Sequence, residues 1–344
     1  MKEIQSLNFN EVLEEAKNKG FTRNTLINFY HKFFKENYNE EEIKGVKKDL
    51  LNFLKEHFSF PKLTEVYSYR DQEGNIKIGY KTKDNHIIET VILSRDEQTS
   101  ICVSTQIGCK MGCIFCATGK IGFIRNLDTW EIVEQVRAAY IKYLKNKGLT
   151  HITIMGMGEP FDNFENMYKS FLIFSDQIIY GIAKSRITVA TAGYLPGLKK
   201  ISDKKDKPTL VISLHAPNQQ KREKIMPIAK SYKIDEIIDF IKTYPMKKNK
   251  RISVQYLLLK GINDSIEDAE ELSILLKGLP VKINFMRYNS IGIEGLSPVS
   301  EEKRDFFITY LRSKGFSCIR RRSAGEEIKG ACGQLGFSLN QIRV

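Results

Sequence analysis

The chain has 344 residues, 42% apolar and 28% charged, enough core material for one large α/β unit or a barrel with a small added domain. No run approaches eighteen consecutive apolar residues, and MKEIQSLNFNEVLEEAKNKG at the start has no apolar signal core, so neither a membrane span nor secretion is expected and the cytoplasm is the expected location. A net charge of +13 favours a polyanionic partner, because Lys and Arg release counterions on meeting phosphate.

Residues 1–60 read as helices. LNFNEVLEEAKNK offers Asn8 or Asn10 as a cap before apolar residues at helical spacing, and NTLINFYHKFFKENY and EEIKGVKKDLLNFLKEHF continue that period. Over residues 64–93 the period changes to short alternating runs broken by QEGN and KDN, which are hairpin signals. From about residue 99, β-branched runs alternate with helical stretches. The strand candidates are 100–105, 151–156, 186–191, 209–215, 251–259 and 281–288, with a late helix and strand in FFITYLRSKG and FSCIRRR. Six such repeats predict parallel βα units, hence a doubly wound sheet or a complete or partial barrel. The basic residues cluster at Lys142–Lys147, Lys199–Lys207, Lys247–Arg251 and Arg320–Arg322, along a folded surface and not in a low-complexity tail.

In parallel α/β folds, ligands bind beyond the carboxyl ends of the strands. The unusual residues fall there: Cys109–Cys116 after the first strand, MGMGEP (155–160) after the second, Ser213-Leu214-His215 at the fourth and Asn289 after the sixth. The six cysteines are Cys102, Cys109, Cys113, Cys116, Cys318 and Cys332, and four of them sit within CVSTQIGCKMGCIFC. A disulfide framework would spread them through a short secreted chain. Structural zinc takes four ligands, commonly in paired C-x2-C knuckles, and the five scattered histidines supply no second pair. Three thiolates suit an iron–sulfur cubane that keeps one iron open for a ligand. Cys318, in the apolar run FSCIR, reads as core.

The spacing C-x3-C-x2-C, with Phe115 before the last cysteine, resembles the cluster motif of the radical S-adenosylmethionine (SAM) superfamily. CVSTQIGCKMGCIFCATGKIGFIRNL, MGMGEP, SLHAPN, MPI and ACGQLG, in that order, resemble the RlmN/Cfr family of radical methyltransferases over nearly the whole chain. That resemblance implies a partial (βα)6 TIM-like barrel at 99–322. It implies a helical accessory domain for RNA at 1–62, a β-meander extension at 63–98 and a C-terminal segment at 323–344. It also implies a [4Fe–4S] cluster on Cys109, Cys113 and Cys116, with two SAM molecules consumed per turnover. The expected reaction is methylation of an adenosine of 23S rRNA, with carbon 2 favoured over carbon 8, and of a tRNA adenosine as in some relatives. The expected partners are that RNA and an electron donor such as flavodoxin or ferredoxin, and the expected state is a monomer.

The resemblance also assigns individual residues. Cys332 of GACGQLG matches the cysteine that first accepts a methyl group, Cys102 the thiol that later attacks it to form a transient disulfide, and Glu89 the proton acceptor. On its own, Glu89 reads as a solvent-facing residue of a hairpin strand. Gly158, Glu159, Ser213, Leu214, His215 and Asn289 match cofactor-contacting positions, with Glu159 suited to the methionine ammonium. Ala190 stands where the family usually has a serine, so one hydrogen bond of about 1 kcal/mol net is missing there and Thr191 is the neighbouring hydroxyl. The loop before Cys332 departs from the family's R-G-x-D-I-D-A-A-C at Ala324, Glu327, Lys329 and Gly330.

Two other readings remain at this level: a radical SAM enzyme on another substrate, and a zinc-bearing RNA-binding protein without catalysis. Anaerobic purification separates the last from the rest. A brown protein carrying iron and acid-labile sulfide is expected, and a colourless zinc protein would refute the cluster.

Overall fold

The computed structural model describes residues 1–36, 39, 41, 43–145, 147–246 and 250–337. Residue 146, Lys247 to Asn249 of one basic run, and residues 338–344 of the C-terminal segment lie outside the described residues.

The N-terminal region holds β1 (Lys2–Glu3), α1 (Phe9–Lys17), α2 (Arg23–Lys35), α3 (Lys48–His57) and β2 (Phe58–Ser59), with β1 and β2 paired in parallel. Of the two candidate caps, Asn8 is the one used. Its side chain accepts from Glu11 N at 3.1 Å and Glu11 Oε2 accepts from Asn8 N at 2.7 Å, a reciprocal box that satisfies two otherwise unpaired donors. The strands β3 (Thr64–Arg70), β4 (Ile76–Lys81) and β5 (Ile87–Arg95) form the expected antiparallel meander.

Next come β6 (Gln98–Val103), β7 (Gln106–Gly108), α4 (Ala117–Ile121), β8 (Phe123–Asn126), α5 (Thr129–Ala139), β9 (His151–Ile154), α6 (Phe164–Ser175), β10 (Ile187–Thr191), α7 (Leu195–Ser202) and β11 (Thr209–Ser213). The chain continues through α8 (Gln219–Ile225), α9 (Ile234–Thr243), β12 (Ile252–Leu258), α10 (Ile266–Leu275), β13 (Val281–Arg287), α11 (Glu301–Ser313) and β14 (Cys318–Arg320). All six predicted strands are present, and the late helix and strand are α11 and β14.

One sheet runs β14-β13-β12-β11-β10-β9-β6-β5-β4-β3. The strands from β6 to β14 in that order are parallel, and β5, β4 and β3 continue it antiparallel through the β5–β6 pairing. The sheet does not close on itself, so the barrel is partial. β-Branched residues dominate the parallel strands because both of their faces are covered. Ile152, Ile154, Val189, Ile212, Val254 and Ile283 are fully buried. Cys318 is core, as expected.

The N-terminal helices share one apolar cluster with the sheet. They lie across α5, which is buried along its whole length between them and the strands. A polar clamp sets that contact. Glu134 and Arg137 are fully buried and paired at 2.8 Å. Gln5 Nε2 donates to Glu134 Oε2 at 3.1 Å, and Arg137 Nε donates to Phe33 O at 3.0 Å. Removing one partner strands the other charge away from water, so Glu134→Ala should cost about 3–5 kcal/mol in chemical denaturation. A cost below about 1 kcal/mol would show that the clamp is dispensable.

Candidate active site

The loops at the carboxyl ends of the parallel strands surround a cavity, open at its mouth, with about 940 Å³ of empty space. Cys109, Cys113 and Cys116 line it, as do Gly158, Glu159, Ala190, Ser213, His215 and Asn289. Cys332 also lines it, from a segment more than two hundred residues away in sequence.

The cysteine loop sits between β7 and β8, a small antiparallel pair that sequence periodicity did not show. Cys109 N–H closes the loop's base by donating to Gly122 O at 2.9 Å. Gly108 has φ +73°, and a Cβ there would lie 1.6 Å from Gly122 O, so only glycine fits. The surroundings are apolar, with Met111, Met226 and Leu257 in the same buried cluster as Cys109. Burial, with the neighbouring sulfurs adding, pushes the Cys109 and Cys113 thiols up. Such thiols ionise when a metal takes the proton's place. Among the described residues no three His, Cys, Asp or Glu side chains converge tightly enough to hold a single ion. A cubane asks for a different arrangement, since each of its sulfur ligands binds a separate iron.

Opposite the cysteines, Glu159 is 3% exposed. Its carboxylate accepts from Ala192 N at 2.7 Å and Phe161 N at 3.1 Å, and no cation pairs with it among the described residues. Burial, opposed by these hydrogen bonds, pushes its carboxyl up to about 7. Gly158, with φ +103°, is required for a reason internal to the protein: a Cβ there would stand 2.6 Å from Gln106 Cβ. Gln106 ties the cofactor-side loop to the cysteine loop. Its Oε1 accepts from Glu159 N at 2.8 Å, and its Nε2 donates to Asn126 Oδ1 and Asp162 Oδ2, both at 2.8 Å.

His215 has φ +57° and is buried. Its Nδ1 accepts from Leu257 N at 3.0 Å, so the neutral ring carries its proton on Nε2. Burial, with Arg222 adding, lowers its pKa to about 3. Ser213 Oγ reaches Gln255 Oε1 at 3.3 Å. Leu214 does not line the cavity; its side chain is fully buried in the main core. The Thr191 hydroxyl, beside Ala190, already accepts from Gly193 N and Tyr194 N at 3.1 and 3.2 Å. Asn289 Nδ2 donates to Cys332 O at 3.1 Å, while its buried Oδ1 has no partner among the described residues.

Cys102 and Glu89 lie next to this cavity and not in its wall. Cross-strand register places Tyr69, Lys77, Val91 and Cys102 in one row, and Tyr67, Gly79 and Glu89 in the next row on the same face. The segment carrying Cys332 covers that face. Leu335 packs with Val91 and Cys102, and Gly336 N–H donates to Glu89 Oε2 at 2.6 Å. Burial, with the nearby Cys332 sulfur adding, raises the Cys102 thiol to about 12. Cys332 is exposed toward the cavity, yet the surrounding protein still pushes its thiol up. Glu89, read from sequence as solvent-facing, is fully buried.

A family model for the radical SAM superfamily matches residues 103–272. The probable dual-specificity RNA methyltransferase RlmN of Spiroplasma citri is 37% identical over 305 residues, which is 88% of this chain and 88% of that protein. The chain belongs to the RlmN family of radical SAM enzymes. The dual-specificity RNA methyltransferase RlmN of Nautilia profundicola is 37% identical over 308 residues, covering 86% of this chain and 87% of its own. A solved radical SAM methyltransferase from Sphaerobacter thermophilus superposes with a TM-score of 0.91 at 33% identity, covering 98% of this chain and all of that one.

A [4Fe–4S] cluster and SAM are the cofactors this family implies, and the cavity suits them. Three thiols stand on an apolar wall, a buried carboxylate without a counter-cation awaits an ammonium, and Asn289 Oδ1 awaits a donor. Sequence reasoning missed Gln106 and Arg222. Arg222 is fully buried, donates to Ala192 O at 2.6 Å and lies close enough to Cys113 to favour its thiolate. Nothing in local sequence marks either residue, since both read as ordinary polar positions. Gly158→Ala should displace Gln106 and weaken SAM binding at least tenfold in equilibrium dialysis, with the iron content unchanged; parent-like affinity would refute the close-packing account.

Proposed function

We propose that the chain methylates an adenosine of 23S rRNA, and a tRNA adenosine as its relatives' dual-specificity name suggests, at ring carbon 2 and by way of a methylated Cys332. The observation that carries this reading is that Cys332 lines the cavity of the three-cysteine loop while its own segment rests on Cys102 and Glu89. When bound, the cluster supplies the electron that splits SAM, and so the radical that takes a hydrogen atom from the methyl on Cys332.

The protein's residues do the rest. Cys332 accepts the methyl from a first SAM and delivers it to the adenine as a methylene. Glu89 takes the ring proton. Cys102 attacks the Cys332 sulfur, the carbon–sulfur bond breaks and the methylated base leaves behind a disulfide. The half-buried Cys102 must lose its proton before that attack. Glu159 holds the methionine ammonium, and the neutral His215 offers its Nε2–H as a donor. Apolar walls keep water from the reactive centre. The N-terminal helices and the spread lysines supply phosphate contacts, so RNA affinity falls steeply with salt. The electron comes from a small donor such as flavodoxin or ferredoxin.

The deciding experiment compares 23S rRNA from cells with and without this gene by mass spectrometry. Loss of 2-methyladenosine is expected on deletion, restored by the parent gene and not by Cys332→Ala. A retained 2-methyladenosine refutes the reading, and loss of 8-methyladenosine instead corrects the target atom. Intact-protein mass spectrometry should show the methyl on Cys332 in the parent.

A further inference from the structure

A lysine, a glutamate and a tyrosine meet inside the sheet, beneath the segment that carries Cys332. Glu89 is 0% exposed and Lys77 is 1% exposed. Lys77 Nζ lies 3.1 Å from Glu89 Oε1, and Tyr67 O–H donates to the same oxygen at 2.6 Å. Among the described residues, the other oxygen, Oε2, receives only Gly336 N–H, at 2.6 Å.

The strands are built to allow this. Tyr67, Gly79 and Glu89 are consecutive partners across β3, β4 and β5. Gly79 stands between the other two, and a Cβ on it would lie 2.3 Å from Tyr67 Cζ. The bare glycine lets the Tyr67 ring cross a whole strand and reach Glu89. Lys77, two residues from Gly79, projects from the same face and lies near the rings of Tyr67 and Tyr69. Burial, then the Glu89 charge, push the Tyr67 hydroxyl up, which keeps it a donor.

A buried ion pair is an expensive way to fill a sheet, since apolar residues of similar size would do it as well or better. Its value here is positional. We propose that Lys77 and Tyr67 are positioning residues for proton removal: they occupy Glu89 Oε1, hold the carboxylate fixed, and leave Oε2 as the atom that takes the ring proton. This rests on the reading of Glu89 as the base.

The step balances. The adduct, from which a bound cluster would take one electron, loses its ring C–H proton to Oε2, and the C–H electron pair restores the aromatic ring. Cys102, giving up its thiol proton, then bonds to the Cys332 sulfur, the carbon keeps the carbon–sulfur pair, and a proton completes the methyl. Gly336 N–H releases Oε2 as the nucleobase arrives, which ties use of the base to movement of the Cys332 segment.

The test uses the reconstituted holoenzyme in single turnovers with an rRNA fragment. It reads methylated Cys332 by intact mass, covalent protein–RNA adduct on a denaturing gel, and methylated base. Lys77→Met is expected to keep its iron and its methylated Cys332 while resolving the adduct on the order of 10²-fold more slowly. Lys77→Arg should recover most of that loss, which a merely structural role would not predict. Tyr67→Phe and Gly79→Ala should slow resolution in the same direction by a smaller factor, and Glu89→Gln should stall it. If Glu89→Gln stalls while Lys77→Met and Tyr67→Phe resolve at the parent rate, the positioning role is overturned and the base stands. If Glu89→Gln also resolves at the parent rate, the base assignment falls and takes this inference with it. Should Lys77→Met not fold, Tyr67→Phe decides alone, since it removes a single oxygen: slowed resolution supports the role, and the parent rate overturns it.

Discussion

The segment that carries Cys332 is clamped through its backbone N–H and C=O groups from two sides, and the geometry of the site depends on that clamp. On the cysteine-loop side, Ala117 N–H donates to Gly333 O at 2.8 Å and the Thr118 hydroxyl donates to Leu335 O at 2.7 Å. On the sheet side, Gly336 N–H donates to Glu89. One short segment therefore spans the three-thiol wall and the face bearing Cys102. Each such bond is worth about 1 kcal/mol net. The proposed function would thus place three sulfur chemistries, cluster ligation, methyl carriage and disulfide exchange, within one folded arrangement.

Burial sets the electrostatics of the cavity. It raises Glu159 to about 7 and lowers His215 to about 3, and it raises the Cys109 and Cys113 thiols. Every one of these shifts disfavours a lone charge in a dry space. A cationic ligand at Glu159 and an iron centre at the thiols would each supply the missing counter-charge. The buried Arg222, whose pKa burial lowers to about 10, is a cation that the fold sets close to Cys113.

In the proposed function the antiparallel extension serves the chemistry as well as the sheet. It adds no wall to the cavity, yet it contributes the carboxylate and its lysine and tyrosine partners. Its attachment to β6 is what brings Val91 opposite Cys102, and so Glu89 onto the same face. A one-residue slip in that register would turn Glu89 to the other side of the sheet.

Much was readable before any coordinates. The alternation of β-branched runs and helical stretches specified parallel βα units, because strands covered on both faces must be apolar throughout. Three cysteines at close spacing in a loop after a strand specified soft-metal chemistry, because that information is local. Residues whose roles arise between distant strands were not readable. Glu89 looked like a surface residue because alternation shows which face a side chain takes, not what covers that face. Gly79, Gln106 and Arg222 drew no reading of their own, because their partners lie one strand, one loop or one helix away. Sequence by itself determined which elements form and which residues can ligate metal, since both follow from neighbours along the chain. Only the tertiary structure decided that Cys332, Cys102 and Glu89 meet, since strand register and the path of the C-terminal segment are set by packing across the whole molecule.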